Sequence, residues 1–130
     1  MTDTTTTPPL MILVAGPYRS GTHDDPALID ANMRAMNEAA LRLFRAGRLP
    51  VTGEALGLPL VAVAGSRQVG DAAWDEIMHP IGRLLAARCD ATLRIGGPSH
   101  GADEMVEVAR AHGRQVFQDL DDVPGLAGAR

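Results

Sequence analysis

Residues 10–15 read Leu-Met-Ile-Leu-Val-Ala, an unbroken apolar run that stops at Gly16-Pro17. Alternate side chains of a strand point to opposite faces, so a strand that is apolar at every position needs cover on both sides. Parallel sheets meet that need, because their crossover connections lay helices on the two faces. This run therefore sets the frame: a covered parallel sheet, against which each later segment is read.

The rest of the chain keeps to that frame. Asp25-Pro26 is an N-cap followed by proline at the first helical position. From there Leu28, Ile29, Met33, Met36, Ala40, Leu43 and Phe44 recur at helical spacing up to a C-capping Gly47. Leu49-Pro50-Val51-Thr52 reads as a second strand, and Gly53 to Ala64 is apolar, with helix expected after Pro59. Ser66 to Gly70 is a polar break. Asp71 to Arg88 carries Ile77, Ile81, Leu84 and Leu85 on one stripe, and Pro80 is expected to kink or split that helix. Residues 91–95 form a third strand, Ser99 or His100 to His112 a helix closed by Gly113, and residues 115–117 a fourth strand. Strands alternating with helices give an α/β domain with a parallel sheet of four or five strands and helices on both faces. Residues 1–9, Thr-rich and ending in two prolines, are expected to be a disordered leader. The domain is expected over 10–122, with a frayed tail over 123–130.

Composition narrows the function. The chain has 130 residues, room for one domain. A formal charge of −4 argues against binding a nucleic acid polymer through its phosphates. Tyr18, Phe44, Trp74 and Phe117 are too few aromatics to stack a single strand. Cys89 stands alone, which excludes an internal disulfide or a cysteine-based metal cage and suits a reducing cytoplasm. At the end of an apolar helical pattern it reads as a small buried hydrophobe. No signal peptide is visible, and no run approaches the roughly 20 apolar residues that span a bilayer. The expectation is a cytoplasmic protein with no membrane partner.

Ligands of open α/β sheets bind beyond the carboxyl ends of the strands, and three such ends are distinctive here. After the first strand come Gly16, Pro17, Tyr18, Arg19, Ser20 and Gly21. Backbone N–H groups beside small residues admit an anion, Arg19 can fork onto a phosphate or carboxylate, and Tyr18 can stack on a planar ring. Neither Gly-rich phosphate-loop pattern is present. After the third strand, Gly96-Gly97-Pro98-Ser99-His100-Gly101 opens a helix, with Ser99 either a cap alone or a cap that also meets a ligand. Glu54 follows the second strand. Asp71, Asp75 and Glu76 open a helix, where acids are favoured by the macrodipole alone. Glu104, in the first turn of the last helix, is another acid favoured by the macrodipole, or a nucleophile or base.

These residues carry a likeness. Ala15-Gly16-Pro17-Tyr18 after the first strand, Asp90 before the third, and Ser99, Gly101, Ala109 and Gly113 around the last helix resemble the nucleoside 2-deoxyribosyltransferase-like superfamily. That superfamily includes the 2′-deoxynucleoside 5′-phosphate N-hydrolases. The likeness runs from about Leu10 to Phe117. It implies a flavodoxin-like three-layer fold, a small-molecule nucleoside or nucleotide ligand and a homo-oligomer; no cofactor or metal is expected. It also implies chemistry at the N-glycosidic bond: a carboxylate attacks the sugar to form a glycosyl-enzyme, and a second acid helps the base leave.

Two positions depart from that pattern. The superfamily's nucleophilic glutamate lies four residues after the motif glycine, which is Met105 here. The hydrolases' assisting aspartate falls at Gly82. Glu104 is one residue early, a rotation of about 100° on a helix. The expected site therefore comprises Glu104 as nucleophile, Glu54 or Asp75 as acid, and Gly16, Pro17, Tyr18, Arg19, Ser20, Ser99 and Gly101 around the ligand. The alternative is a catalytically degenerate nucleotide-binding or interaction module on the same fold. Two carboxyl groups about 5–5.5 Å apart would mark a retaining centre. Met33, Met36, Met78 and Met105 are expected to leave soft apolar surface for an interface.

Overall fold

The structure is a computed structural model that describes residues 10–126. The expected leader and residues 127–130 of the expected tail lie outside the described residues. Four strands, β1 (Met11–Ala15), β2 (Leu49–Val51), β3 (Ala91–Arg94) and β4 (Gln115–Phe117), form one all-parallel sheet in the order β2-β1-β3-β4. The helices are α1 (Pro26–Arg45), α2 (Gly53–Val63), α3 (Ala72–Arg88) and α4 (His100–Ala111). The α/β class, the parallel sheet and the three-layer arrangement are as expected, with four strands among the described residues.

The first strand shows why its sequence is apolar throughout. Ile12 and Val14 pack on one face with Met36, Ala39 and Leu43 of α1. Leu13 and Ala15 pack on the other with Ala86 and Cys89 at the end of α3 and with Ala102 and Met105 of α4. Cys89 is fully buried, and burial raises its thiol pKa, so it serves as a small core hydrophobe. Asp90 docks β1 at its start: its carboxylate accepts from the Met11 N–H at 2.8 Å.

Each helix starts on a side-chain cap. Asp25, Thr52, Asp71 and Ser99 accept from the N–H groups of Ala27, Ala55, Trp74 and Ala102. Helix α1 ends where Gly47 takes a left-handed φ of 85° and the Arg48 N–H reaches back to the Leu43 carbonyl.

The structure corrects three expectations. Helix α2 begins at Gly53, not after Pro59, because the Thr52 cap nucleates it and leaves Pro59 inside. Pro80 does not split α3, which runs continuously from Ala72 to Arg88. The tail expected to fray from 123 is packed as far as residue 126. After a 3-10 turn at Leu120–Asp122, Val123 and Leu126 join the core on the α1 face, and Arg48 donates to the Pro124 carbonyl at 2.6 Å.

The order of strands places the site. From β1 the chain steps out to β2 on one side, then returns past β1 to β3 on the other. That reversal is a topological switch point, where the loops after neighbouring strands diverge and open a crevice. Strand β2 ends at Val51, opposite Leu13, two residues before β1 ends. Helix α2 therefore begins recessed below the rim of that crevice.

Candidate functional site

A cleft of about 230 Å³ opens at this switch point. Its walls are the end of β1 and its loop (Leu13 to Gly16 and Tyr18 to Ser20), the first turn of α2 (Gly53, Glu54), α3 and the first turn of α4. Of the expected site residues, the structure brings Gly16, Tyr18, Arg19, Ser20, Glu54, Ser99 and Gly101 to the lining. Pro17, Asp75 and Glu104 are outside it. Pro17 supports the rim, with its ring against Gly96. Asp75 is exposed on the first turn of α3 and acts on the cleft only through its charge, which helps hold the Arg19 proton.

Tyr18 stacks on Trp74, with ring centroids 5.7 Å apart and planes inclined by 22°, and both line the cleft. This offset pair gives the cleft an aromatic wall. The Asn32 amide fixes the Tyr18 carbonyl at 2.9 Å. Burial raises the Tyr18 phenol pKa, and the charges of Glu54 and Asp30 raise it further.

Arg19 is held from two sides. Its guanidinium forks onto the Asp24 carboxylate at 3.0 and 3.1 Å, which raises its own pKa and lowers that of Asp24. Asp24 presents that fork from a left-handed backbone, φ 58°, next to His23 at φ 49°. Two consecutive non-glycine residues in that region are uncommon, and Thr22 steadies them by accepting from the Asp24 N–H at 3.1 Å. On its other side the guanidinium lies over Gly70, where an added Cβ would come within 2.7 Å of it.

Glu54 is the one carboxylate of the lining. It has no ion-pair partner among the described residues, and burial raises its pKa. Ser99 caps α4 by accepting from the Ala102 N–H at 3.2 Å, which leaves its own O–H to donate.

Glu104 faces elsewhere. One oxygen accepts from Arg83 at 2.6 Å, and the other lies 3.7 Å from His79 Nδ1. The next α4 residue, Met105, lines the cleft together with Gly101 and Ala102 and is buried. Its thioether lies over Gly82 of α3, so closely that a Cβ on Gly82 would sit 2.7 Å from the sulfur. Of the other methionines expected to offer interface surface, Met36 is buried, Met33 is half-buried against the α1-side core and the half-buried Met78 lines the cleft, so Met36 and Met105 offer no such surface.

Sequence reading missed Trp74, Met78 and His79 as lining residues. The signal was present: 74, 78 and 82 follow one another at i, i+4 after the Asp71 cap, which puts them on one face of α3. Among the described residues no group of three or more His, Cys, Asp or Glu could hold a metal ion, and no helix is long and apolar enough to cross a membrane.

No protein-family model matches the chain, and no curated protein matches it. The functional reading therefore rests on the chemistry of the cleft.

Proposed function

We propose that the chain binds a nucleoside or nucleotide in this cleft and forms no glycosyl-enzyme there. The observation that carries the reading is the Met105–Gly82 contact. The two places that the superfamily resemblance gives to acids are occupied by a thioether and the glycine it packs on, and Glu54 is the one carboxylate left in the lining. A retaining centre needs two carboxyl groups about 5–5.5 Å apart. The lining supports binding: an aromatic wall suits a base, the Ser99 hydroxyl at the start of α4 suits a sugar, and Arg19 with Ser20 suits an anionic group. A cytoplasmic location belongs to the same proposal and is supported by the lone buried thiol of Cys89. A net charge of −4 supports a small ligand over a nucleic acid polymer.

A second reading draws on His79 and Glu54, which line the same cleft. Water could pass its proton to His79 and attack the sugar directly while Glu54 protonates the departing base.

The deciding experiment measures binding and base release across a panel of nucleosides and 5′-monophosphates. Binding without release is the expected result. Release that survives Glu104→Gln but not His79→Ala or Glu54→Gln would replace it with the second reading. Release abolished by Glu104→Gln would restore Glu104 as nucleophile. No binding by any compound would sink the nucleoside or nucleotide reading itself.

A further inference from the structure

We propose that the cleft takes an amino-substituted planar heterocycle whose ring nitrogen neighbours the amino group, as in cytosine and adenine, and that the Glu54 carboxyl reads that edge; this rests on the nucleoside or nucleotide reading above.

The first observation is an unused carboxyl. Glu54 is partly buried in the cleft wall and has no ion-pair partner among the described residues. Arg19, the arginine of the lining, forks Nε and Nη2 onto Asp24 and makes no ion pair with Glu54, and His79 turns Nδ1 toward Glu104. Withdrawing a carboxyl from water without a partner is unfavourable. Such a group is expected where a ligand supplies what the protein does not.

The second observation is the aromatic wall. Tyr18 lies in the same lining, close enough for the Glu54 charge to act on its phenol. In the proposed complex a flat ring stacks on that wall and offers its edge to the carboxyl in the same lining.

Hydrogen-bond chemistry then selects the edge. A neutral carboxyl offers one donor and one acceptor, and an ionised one offers two acceptors. The edge of cytosine or adenine has an accepting ring nitrogen beside a donating amino group. It makes two hydrogen bonds with the neutral carboxyl. If the ring nitrogen takes the proton instead, it makes the same two with the carboxylate, now charge-assisted. Either way the pair shares one proton. The double-donor edge of guanine suits only the ionised form, and the edge of uracil pairs with the neutral carboxyl but has no basic nitrogen to take its proton into a charge-assisted pair.

Burial at the cleft wall favours keeping that proton. The β1–α1 loop contributes Tyr18 and Arg19, the latter already matched by Asp24. Helix α1 contributes Asp30, whose charge acts on Tyr18, and α3 contributes His79 in the lining and Asp75, whose charge acts on Arg19. The lining residues of α4 (Ser99, Gly101, Ala102 and Met105) do not titrate. None of these charges is what lifts the Glu54 pKa; its burial in the cleft wall does, and that favours a protonated pair.

Calorimetric titration of the full chain with cytidine, adenosine, uridine and guanosine tests this. The series spans about pH 5 to 8 and uses nucleosides, because a phosphate would itself titrate near 6. Cytidine or adenosine is expected to bind tightest. Because the complex takes up one proton, affinity should fall about tenfold per pH unit on the alkaline side. Glu54→Gln presents a donor and an acceptor at every pH, so it should retain binding and lose the pH slope. Glu54→Ala, with its fold confirmed by circular dichroism, should bind at least about tenfold more weakly, as expected for the loss of a charge-assisted pair. Tighter binding of guanosine or uridine, or a pH slope that persists in Glu54→Gln, would overturn the inference and leave the nucleoside reading intact. Absence of binding by all four nucleosides and their 5′-monophosphates would remove both.

Discussion

Asp71 illustrates how an acid near a cleft can be structural. Its carboxylate accepts from the N–H groups of Trp74, Arg67 and Gln68 and from the Ser66 hydroxyl. Those donors, the Arg67 N–H foremost, lower its pKa to about 2. The folded value lies below the unfolded value of about 3.9, so the carboxylate adds stability above that unfolded value and loses it as pH falls toward 2. Thermal melts of Asp71→Asn should therefore show a lower Tm than the parent at neutral pH. The gap should close as pH approaches 2, and a gap that stayed constant with pH would count against the carboxylate's role. This cap also orients Trp74, the inner ring of the aromatic wall. Residue-level legibility was uneven for a physical reason. Tyr18, Arg19, Ser20 and Glu54 follow strands directly, and strand ends point at the crevice whatever the helices do. Trp74 and His79 reach it only through the rotation of a helix packed from the side, and Glu104 is turned away by a single residue of that same rotation.

At the scale of elements, α3 is held between its neighbours by two contacts of one kind. Met78 of α3 lies over Gly57 of α2, and Met105 of α4 lies over Gly82 of α3. In each, a glycine opens a notch and a flexible thioether fills it, so the helices approach closely. A Cβ on Gly82 would force the Met105 thioether aside, and Gly82→Ala should lower stability by about 1–2 kcal/mol through overpacking. In a Met105→Ala background the overlap is gone and only the better helix propensity of alanine remains. The same change should then be neutral or stabilising by up to about 1 kcal/mol. Chemical denaturation of the four-protein cycle checks the sign reversal, and equal costs in both backgrounds would contradict the contact. The helices themselves were legible from periodicity and caps. Their behaviour at proline was less so, because a breaker's local penalty is set against packing that lies elsewhere in the chain. Pro59 and Pro80 stay inside helices whose caps and neighbours outweigh them. The segment 123–126 looked like a tail because two buried side chains, Val123 and Leu126, are too few to make a pattern.

At the scale of the whole molecule, the sheet and its layers were readable from one strand, since only a two-sided cover explains residues 10–15. Assembly was less readable: of the four methionines expected to offer interface surface, Met36 and Met105 are buried and Met33 and Met78 are half-buried. Helix α2 is the better candidate. From Ala55 to Ala64 it carries no charge, yet Leu56, Leu60 and Val63 are 46%, 50% and 88% exposed. Edge strand β2, immediately before it, exposes Leu49 as well. Apolar patches beyond a few hundred Å² are uncommon on monomers. A helix of this length spans only about 16 Å, so a stable interface of about 800 Å² per partner requires a second broad apolar surface against it. A second copy of the same face meets that requirement, because a two-fold axis pairs a patch with itself and brings no unmatched charge into contact. The chain should therefore sediment as a dimer or larger assembly at micromolar concentration. Leu60→Glu should shift it to monomer with its circular dichroism unchanged, since Leu60 already faces water in one protomer. A parent chain that sediments as a monomer throughout would show that α2 is left bare, and the Leu60→Glu variant would then differ from it only in solubility.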